Sequence, residues 1–393
     1  MSAAPQAEVQ IMFSAGEASG DHYAAKIFTA LKRQYPSVKA FGLGGQASRD
    51  AGIRTLVAAE EIAVMGLFEV LLHYPKLKRA MNTLQAALAE RRPALLIAID
   101  YQEFNQRLAR YARSLGIPVL FFVAPQVWAW RPKRAAKMRD VADQLAVLFP
   151  FEVRLFEQVG VPTVHVGHPL VDMIDHKRSR EQARQALGLP TDQTVVGLLP
   201  GSRLGEIHRL LPLMLGAARQ LHNRHPDWQF ILPIAHTLRA RDLTPLLKDH
   251  RLGKALQLTD GQSHEVMRAA NALLVASGTA SLEAAIIGTP MVITYRTNWL
   301  TYQLARRLIN TPYIGLPNII AQRRVVPELI QHEADVPNLA AHVESLVTDQ
   351  EQAQMQRKAL AAIRQQLGDR GAVENVARLA MKWLPAEPSS GQA

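Results

Sequence analysis

The chain has 393 residues, 48% of them hydrophobic and 20% charged, which is enough to bury two cores and too apolar for a disordered protein. Cysteine is absent, so disulfides and thiolate metal sites are excluded and a reducing compartment fits. A net charge of +11 asks for an anionic partner: nucleic acid, anionic lipid or a phosphorylated substrate.

In chain order, Met1–Gln10 lacks the basic and apolar stretches of a secretory signal. Val9–Ser14 is predicted as a short buried strand, followed by a Gly-containing loop and a helix from about His22 to Tyr35. Val38–Leu43 is a second strand. Ala94–Ile99 and Val119–Val123 are continuous apolar runs with polar or Pro borders, the pattern of parallel strands covered on both faces. Gln144–Leu148 and Thr163–Val166 complete a first unit. Asp172–Leu189 turns polar and basic and reads as a junction. The pattern then restarts with a strand at Thr194–Leu199, a tight loop at Pro200–Arg203 and a helix over Glu206–Arg224. Further strands are predicted at Trp228–Pro233, Leu256–Leu258, Leu273–Val275 and Met291–Thr294, and helices dominate from Asp335. No apolar run approaches the ~20 residues that span a bilayer, so a soluble or peripherally bound protein is expected. The expected organisation is one domain over 1–170, a second over 171–350, and C-terminal helices with a loose tail over 351–393. That is an α/β fold of two doubly wound parallel sheets, with ligands at the carboxyl ends of the strands.

Four strand–loop–helix junctions carry candidate chemistry. In Ser14-Ala15-Gly16-Glu17-Ala18-Ser19-Gly20-Asp21, two glycines allow close backbone approach. The pattern is not that of a dinucleotide loop, and the carboxylates of Glu17 and Asp21 suit sugar hydroxyls better than a pyrophosphate; the plain alternative makes Asp21 a helix cap. Asp100 follows a buried strand, with Glu103 and Asn105 behind it, and is placed to act as a general base unless it merely caps the next helix. Pro200-Gly201-Ser202-Arg203 offers amides, a hydroxyl and a cation to a phosphate. Ser277-Gly278-Thr279 offers loop amides to a diphosphate, and Glu283 sits one turn further on for ribose hydroxyls; the plain alternative is a Thr cap and a surface Glu. A fifth feature is the apolar segment Ile62–Leu72, including Met65, with a basic edge of Lys76, Lys78 and Arg79. It fits an anionic membrane interface, an acyl groove or simple core burial. Val127-Trp128-Ala129-Trp130-Arg131 begins a second aromatic-basic cluster. The histidines show no metal-binding spacing, His165 and His168 read as structural or substrate-contacting, and no RNA-binding signature appears.

Taken together, these segments resemble the lipid-A-disaccharide synthase family. Gly16–Asp21, Ala63–Gly66, Asp100–Asn105, Pro125–Arg131, Val166–Leu170, Leu199–Arg203, Ser277–Ala280 and Leu316–Ala321 carry the resemblance in order through almost the whole chain. It implies a type B glycosyltransferase fold with two facing Rossmann-like domains and an inverting, metal-independent transfer with no cofactor. The implied donor is UDP-2,3-diacylglucosamine and the implied acceptor 2,3-diacylglucosamine 1-phosphate. The products are a β-1,6-linked disaccharide phosphate and UDP, made at the cytoplasmic face of the inner membrane against anionic lipid. Nucleic acid is not an expected partner; a homodimer through C-terminal segments is the assembly the family suggests. The family's general base falls on Asp100, and its other polar site positions on Glu17, Asn105, Arg203, Glu283 and Asn318. Two departures stand out. Gln102 and Glu103 replace the Pro-Asp of the family's Asp-x-Pro-Asp-Phe-Asn, and Gln322 stands where the family favours Gly. Two rivals remain: another UDP-sugar transferase or epimerase on the same scaffold, and an inactive lipid-binding relative.

Overall fold

The computed structural model describes residues 8–62, 67–130, 132–235, 238–248, 251–308 and 311–386. They form two compact units: Met1–Pro169 together with Gly368–Ala393, and Leu170–Leu367.

The first unit is built on strands β1 (Gln10–Ala15), β2 (Lys39–Gly44), β3 (Arg54–Ala58), β4 (Leu95–Ile99), β5 (Val119–Phe122), β6 (Gln144–Val147) and β7 (Thr163–His165). They pair in the order β3-β2-β1-β4-β5-β6-β7, all parallel. The apolar runs are continuous because both faces are covered. Ile11, Phe13, Leu95, Ile97, Leu120 and Phe122 face one core, while Met12, Leu96, Ala98, Val119 and Phe121 face the other. This is the period-2 alternation of a pleated strand with no solvent side. The first core also receives the helix Ala372–Ala380, whose Val373, Val376, Ala377 and Ala380 pack with Ile27, Phe28 and Leu31 of the helix Ala18–Gln34. Asn375 Nδ2 adds a hydrogen bond to Val166 O at 2.9 Å.

The second unit holds β8 (Val195–Leu199), β9 (Gln229–Ile234), β10 (Leu256–Asp260), β11 (Ala272–Ala276), β12 (Met291–Tyr295) and β13 (Glu328–Ile330). Their order is β10-β9-β8-β11-β12-β13, again all parallel. The segment 351–393, expected as a separate C-terminal piece, is divided. Helix Gln350–Gln366 stays with the second unit, and the chain from Gly368 joins the first.

In each sheet the strand order reverses once, between β1 and β4 and between β8 and β11. Open α/β sheets bind ligands in the crevice that such a reversal leaves at the carboxyl ends. No helix among the described residues is long and apolar enough to cross a membrane.

Candidate active site

At the first reversal Ala15 lies opposite Ile99, so the loops leaving β1 and β4 start side by side. The helix after β1 begins at Ala18, four residues earlier than expected, which draws Ser19 and Asp21 into its first turn. Small residues permit this. A Cβ on Gly20 would stand in ordinary contact with Ala15 Cβ and Ile99 O at 3.6 Å, so this turn packs closely on the ends of β1 and β4. Glu17 takes the extended backbone ahead of the helix.

The β4 and β5 exits are strained. Asp100, Tyr101 and Val123 have φ of 48°, 46° and 66°, and none is glycine. Left-handed backbone costs such residues about 1–2 kcal/mol each, and most for a β-branched one. Strain of this kind concentrates where a site over-determines its geometry. The bend lays the Tyr101 ring over Gly16, where any Cβ would collide with it, and lets the Tyr101 hydroxyl donate to Ile62 O at 3.1 Å. The ring rests against Phe104, centroids 5.4 Å apart.

Asp100 is half-buried, and its Oδ1 accepts from Gln102 Nε2 at 3.2 Å. Burial pushes its carboxyl above the usual range, against opposing hydrogen bonds from Gln102 and the Tyr101 amide. The Glu17 carboxyl is raised by partial burial and then by the charge of Asp100, and the Tyr23 hydroxyl likewise. Two carboxylates thus share one field at the reversal, and the charge on Asp100 helps to hold the Glu17 carboxyl up.

Three other expected positions are engaged within the fold. Asp21 accepts from the amides of Gly45 at 2.7 Å, Ala47 at 2.9 Å and Ser48 at 3.1 Å, and from the Ser48 hydroxyl. Burial raises its pKa, but those hydrogen bonds outweigh it and hold the carboxyl low. It serves the start of helix Gln46–Asp50 and does not cap its own helix. Ser14 and Asn105 are wholly buried. Ser14 Oγ donates to Asn105 Oδ1 at 2.5 Å, and Asn105 Nδ2 reaches the carbonyls of Ser14, Ile99 and Asp100 at 3.1, 3.1 and 2.8 Å. They clamp β1 to β4 beneath Asp100. Ser19 and Glu103 are exposed on the first turns of their helices.

At the second reversal β8 and β11 are in register, with Leu199 opposite Val275. Their exit loops enclose a pocket of about 420 Å³ lined by Gly201, Ser202, Arg203, Ser277, Gly278, Thr279 and Glu283. Glu206, Ser263 and Met267 line it as well; they carry no motif and sequence reading missed them. The loop divides its work. Ser277 is spent, its amide on Thr294 O at 3.1 Å and its hydroxyl on Ile314 O at 2.9 Å. The amides of Gly278 and Thr279 have no partner among the described residues, and nothing lies within 4 Å of where a Gly278 Cβ would stand. Thr279 opens the helix to Ile287 and does not cap it; Gly278 holds the cap position. Gly201 has φ 111°, and a Cβ there would strike the Glu206 carboxylate. Arg203 occupies the cap position of helix Leu204–Arg224 with an exposed side chain. Glu283 Oε1 lies 3.4 Å from His264 Nε2, and this pairing raises the imidazole's pKa against the effect of burial.

Asn318 is not in this pocket. It is wholly buried, accepts from the amides of Val325 and Val326 at 2.7 and 2.9 Å, and donates to Val326 O at 2.8 Å and Glu328 Oε1 at 2.7 Å. It braces the loop that leads into β13. Just beyond it Gln322 has φ 53°, a conformation glycine adopts without strain. Gln322→Gly is expected to raise stability by about 0.5–1 kcal/mol, read as a higher denaturant midpoint at unchanged slope. A lower midpoint would show that the Gln322 Nε2 bond to Ile319 O, at 2.5 Å, matters more than the strain.

Met65 lies outside the described residues. The basic edge beyond it, Lys76, Lys78 and Arg79, is exposed on helix Leu67–Arg91, as is Tyr74. Trp128 turns inward: its Nε1 donates to the buried Glu152 at 3.1 Å, and its ring meets Phe149 and Phe151 edge-on. His168 is buried, and burial with His165 beside it holds the imidazole down to about 4. That suits packing better than proton exchange near neutrality. Among the described residues no group of three His, Asp or Glu is placed to hold a metal ion.

A sequence model described as lipid-A-disaccharide synthetase matches residues 11–382. The chain belongs to that family. The lipid-A-disaccharide synthase of Geobacter sulfurreducens is 44% identical over 375 residues, covering 95% of this chain and 97% of that protein. Membership makes the chain a glycosyltransferase of lipid A biosynthesis, as the resemblance implied. Solved structures of the same fold include a UDP-glucose:anthocyanidin 3-O-glucosyltransferase in complex with UDP, with a TM-score of 0.63 at 12% identity over 96% of this chain and 99% of that one. A UDP-GlcNAc 2-epimerase from Neisseria meningitidis bound to UDP-GlcNAc gives 0.56 at 12% identity over 95% and 98%. The fold alone therefore admits transferase and epimerase; family membership separates them.

Proposed function

We propose that the chain transfers 2,3-diacylglucosamine from UDP-2,3-diacylglucosamine to the 6-hydroxyl of 2,3-diacylglucosamine 1-phosphate, with inversion. The observation that carries the reading is the Asp100 carboxylate, held half-buried by strained backbone at a sheet reversal, with its pKa lifted. Asp100 takes the hydroxyl proton as that oxygen bonds to the anomeric carbon, and the bond from that carbon to the UDP oxygen breaks with its electron pair going to UDP. General-base help of this kind supplies about 10²–10⁴-fold. Glu17 accepts a hydrogen bond from the acceptor sugar. The diphosphate takes the Gly278 and Thr279 amides and the Arg203 guanidinium, whose fixed charge meets the negative charge growing on UDP. Glu283 takes the ribose hydroxyls. The net charge of +11 and the exposed basic edge of helix Leu67–Arg91 support contact with a phosphorylated acceptor and an anionic inner leaflet.

Purified protein in EDTA is expected to release UDP from the diacyl donor only when the diacyl phosphate acceptor is added, and to form the disaccharide in equal amount. Turnover of unacylated UDP-N-acetylglucosamine, or release of UDP with no disaccharide, would overturn the reading.

A further inference from the structure

We propose that Gln102 is a positioning residue for Asp100, holding its carboxylate in one rotamer. The inference rests on Asp100 acting as the base. Gln102 opens helix Gln102–Ser114, directly after the two left-handed residues. Its Nε2 hydrogens are both committed, one to Asp100 Oδ1 at 3.2 Å and one to Val123 O at 2.9 Å. Val123 is itself left-handed, so the one amide ties together the strained exits of β4 and β5. The orientation is bought with a lost hydrogen bond: Gln102 Oε1 is buried with no partner among the described residues. A buried amide that orphans its own oxygen is held by what its nitrogen does. Two acceptors dictate the donor end, and the carboxylate is one of them.

The chemistry follows from what surrounds Asp100. Glu17 from the β1 loop adds negative charge, Tyr23 from helix Ala18–Gln34 is kept protonated beside it, and burial disfavours the anion. Among the described residues no cation is placed to offset them. The Gln102 N–H is the side-chain donor that does so, and a neutral donor lowers the pKa of Asp100 without forming an ion pair that would blunt the base. A proline at this position, as in the family pattern, supplies no such donor. In this chain the side-chain tether takes the place of ring rigidity.

The test is the pH dependence of kcat for Gln102→Leu and Gln102→Glu beside Asp100→Asn, all on the full chain. Gln102→Leu keeps the bulk and removes the donor. Its acid limb is expected to move up by about one pH unit, so that kcat falls about tenfold at pH values below the limb, with KM for the UDP donor unchanged. Gln102→Glu places a second carboxylate there and is expected to move the limb further in the same direction. An acid limb unmoved in both variants, with Asp100→Asn inactive, would overturn the role of Gln102 and leave the base intact. Near-normal activity of Asp100→Asn would remove the base itself. A Gln102→Leu protein that fails to fold transfers the decision to Gln102→Glu, which keeps the polar shape.

Discussion

Asp100→Asn is expected to lower kcat by about 10³-fold while leaving UDP affinity within twofold of the parent. The substitution is close to isosteric, and its amide oxygen can still accept from Gln102, so the strained exit of β4 keeps its geometry. What disappears is the ability to take a proton. The clamp beneath, Ser14 and Asn105, does not touch the reacting carboxylate and is unaffected. Steady-state rates with saturating donor and acceptor read the effect. A loss below tenfold would mean that the hydroxyl finds another base, and Glu17, in the same field, would then be the next to substitute.

Arg203→Ala is expected to weaken UDP binding by about 10–100-fold and to lower kcat as well. A guanidinium at a phosphate makes charge-assisted hydrogen bonds, each contributing more than a neutral one, and here it lines the same pocket as the Gly278 and Thr279 amides. The effect on kcat arises because the leaving nucleotide gains charge in the transition state, so the cation stabilises that state more than the bound donor. Arg203 caps its helix through its backbone, with no side-chain bond, so the substitution costs the fold little. Initial rates over a range of donor concentrations separate the two effects. A rise in KM with kcat unchanged would mean that Arg203 binds the donor and the transition state equally and adds nothing to the chemical step.

Much of the fold was legible because parallel strands covered on both faces leave unbroken apolar runs. β1, β4, β5, β8 and β11 are of this kind. Two edge strands were not. Arg54–Ala58 alternates weakly, and Glu328–Ile330 spans three residues, too few to show a period. The location of both candidate half-sites followed from recognising strand–loop–helix junctions. What a polar side chain does there did not. Asp100 and Asn105 sit five positions apart after one strand, yet one carboxylate is presented and the other side chain is wholly engaged by its neighbours, three carbonyls and the Ser14 hydroxyl. Asp21 and Asn318 are consumed in the same way. Composition is blind to this difference, because a bracket and a ligand contact use the same donors and acceptors. The left-handed backbone at Asp100, Tyr101 and Val123 left no trace either, since no glycine marks it. The departure at Gln102 was visible as a loss of proline, but not as a tether.

On the proposed function, nucleotide binding and proton removal reside in different units, one in the pocket at β8 and β11 and the other at the β1 and β4 reversal. Calorimetric titration of UDP into the parent chain, Asp100→Asn and Arg203→Ala tests this separation directly. Kd is expected to be unchanged in Asp100→Asn and raised by about 10–100-fold in Arg203→Ala. A Kd that rises in Asp100→Asn, or one that stays level in Arg203→Ala, would contradict it.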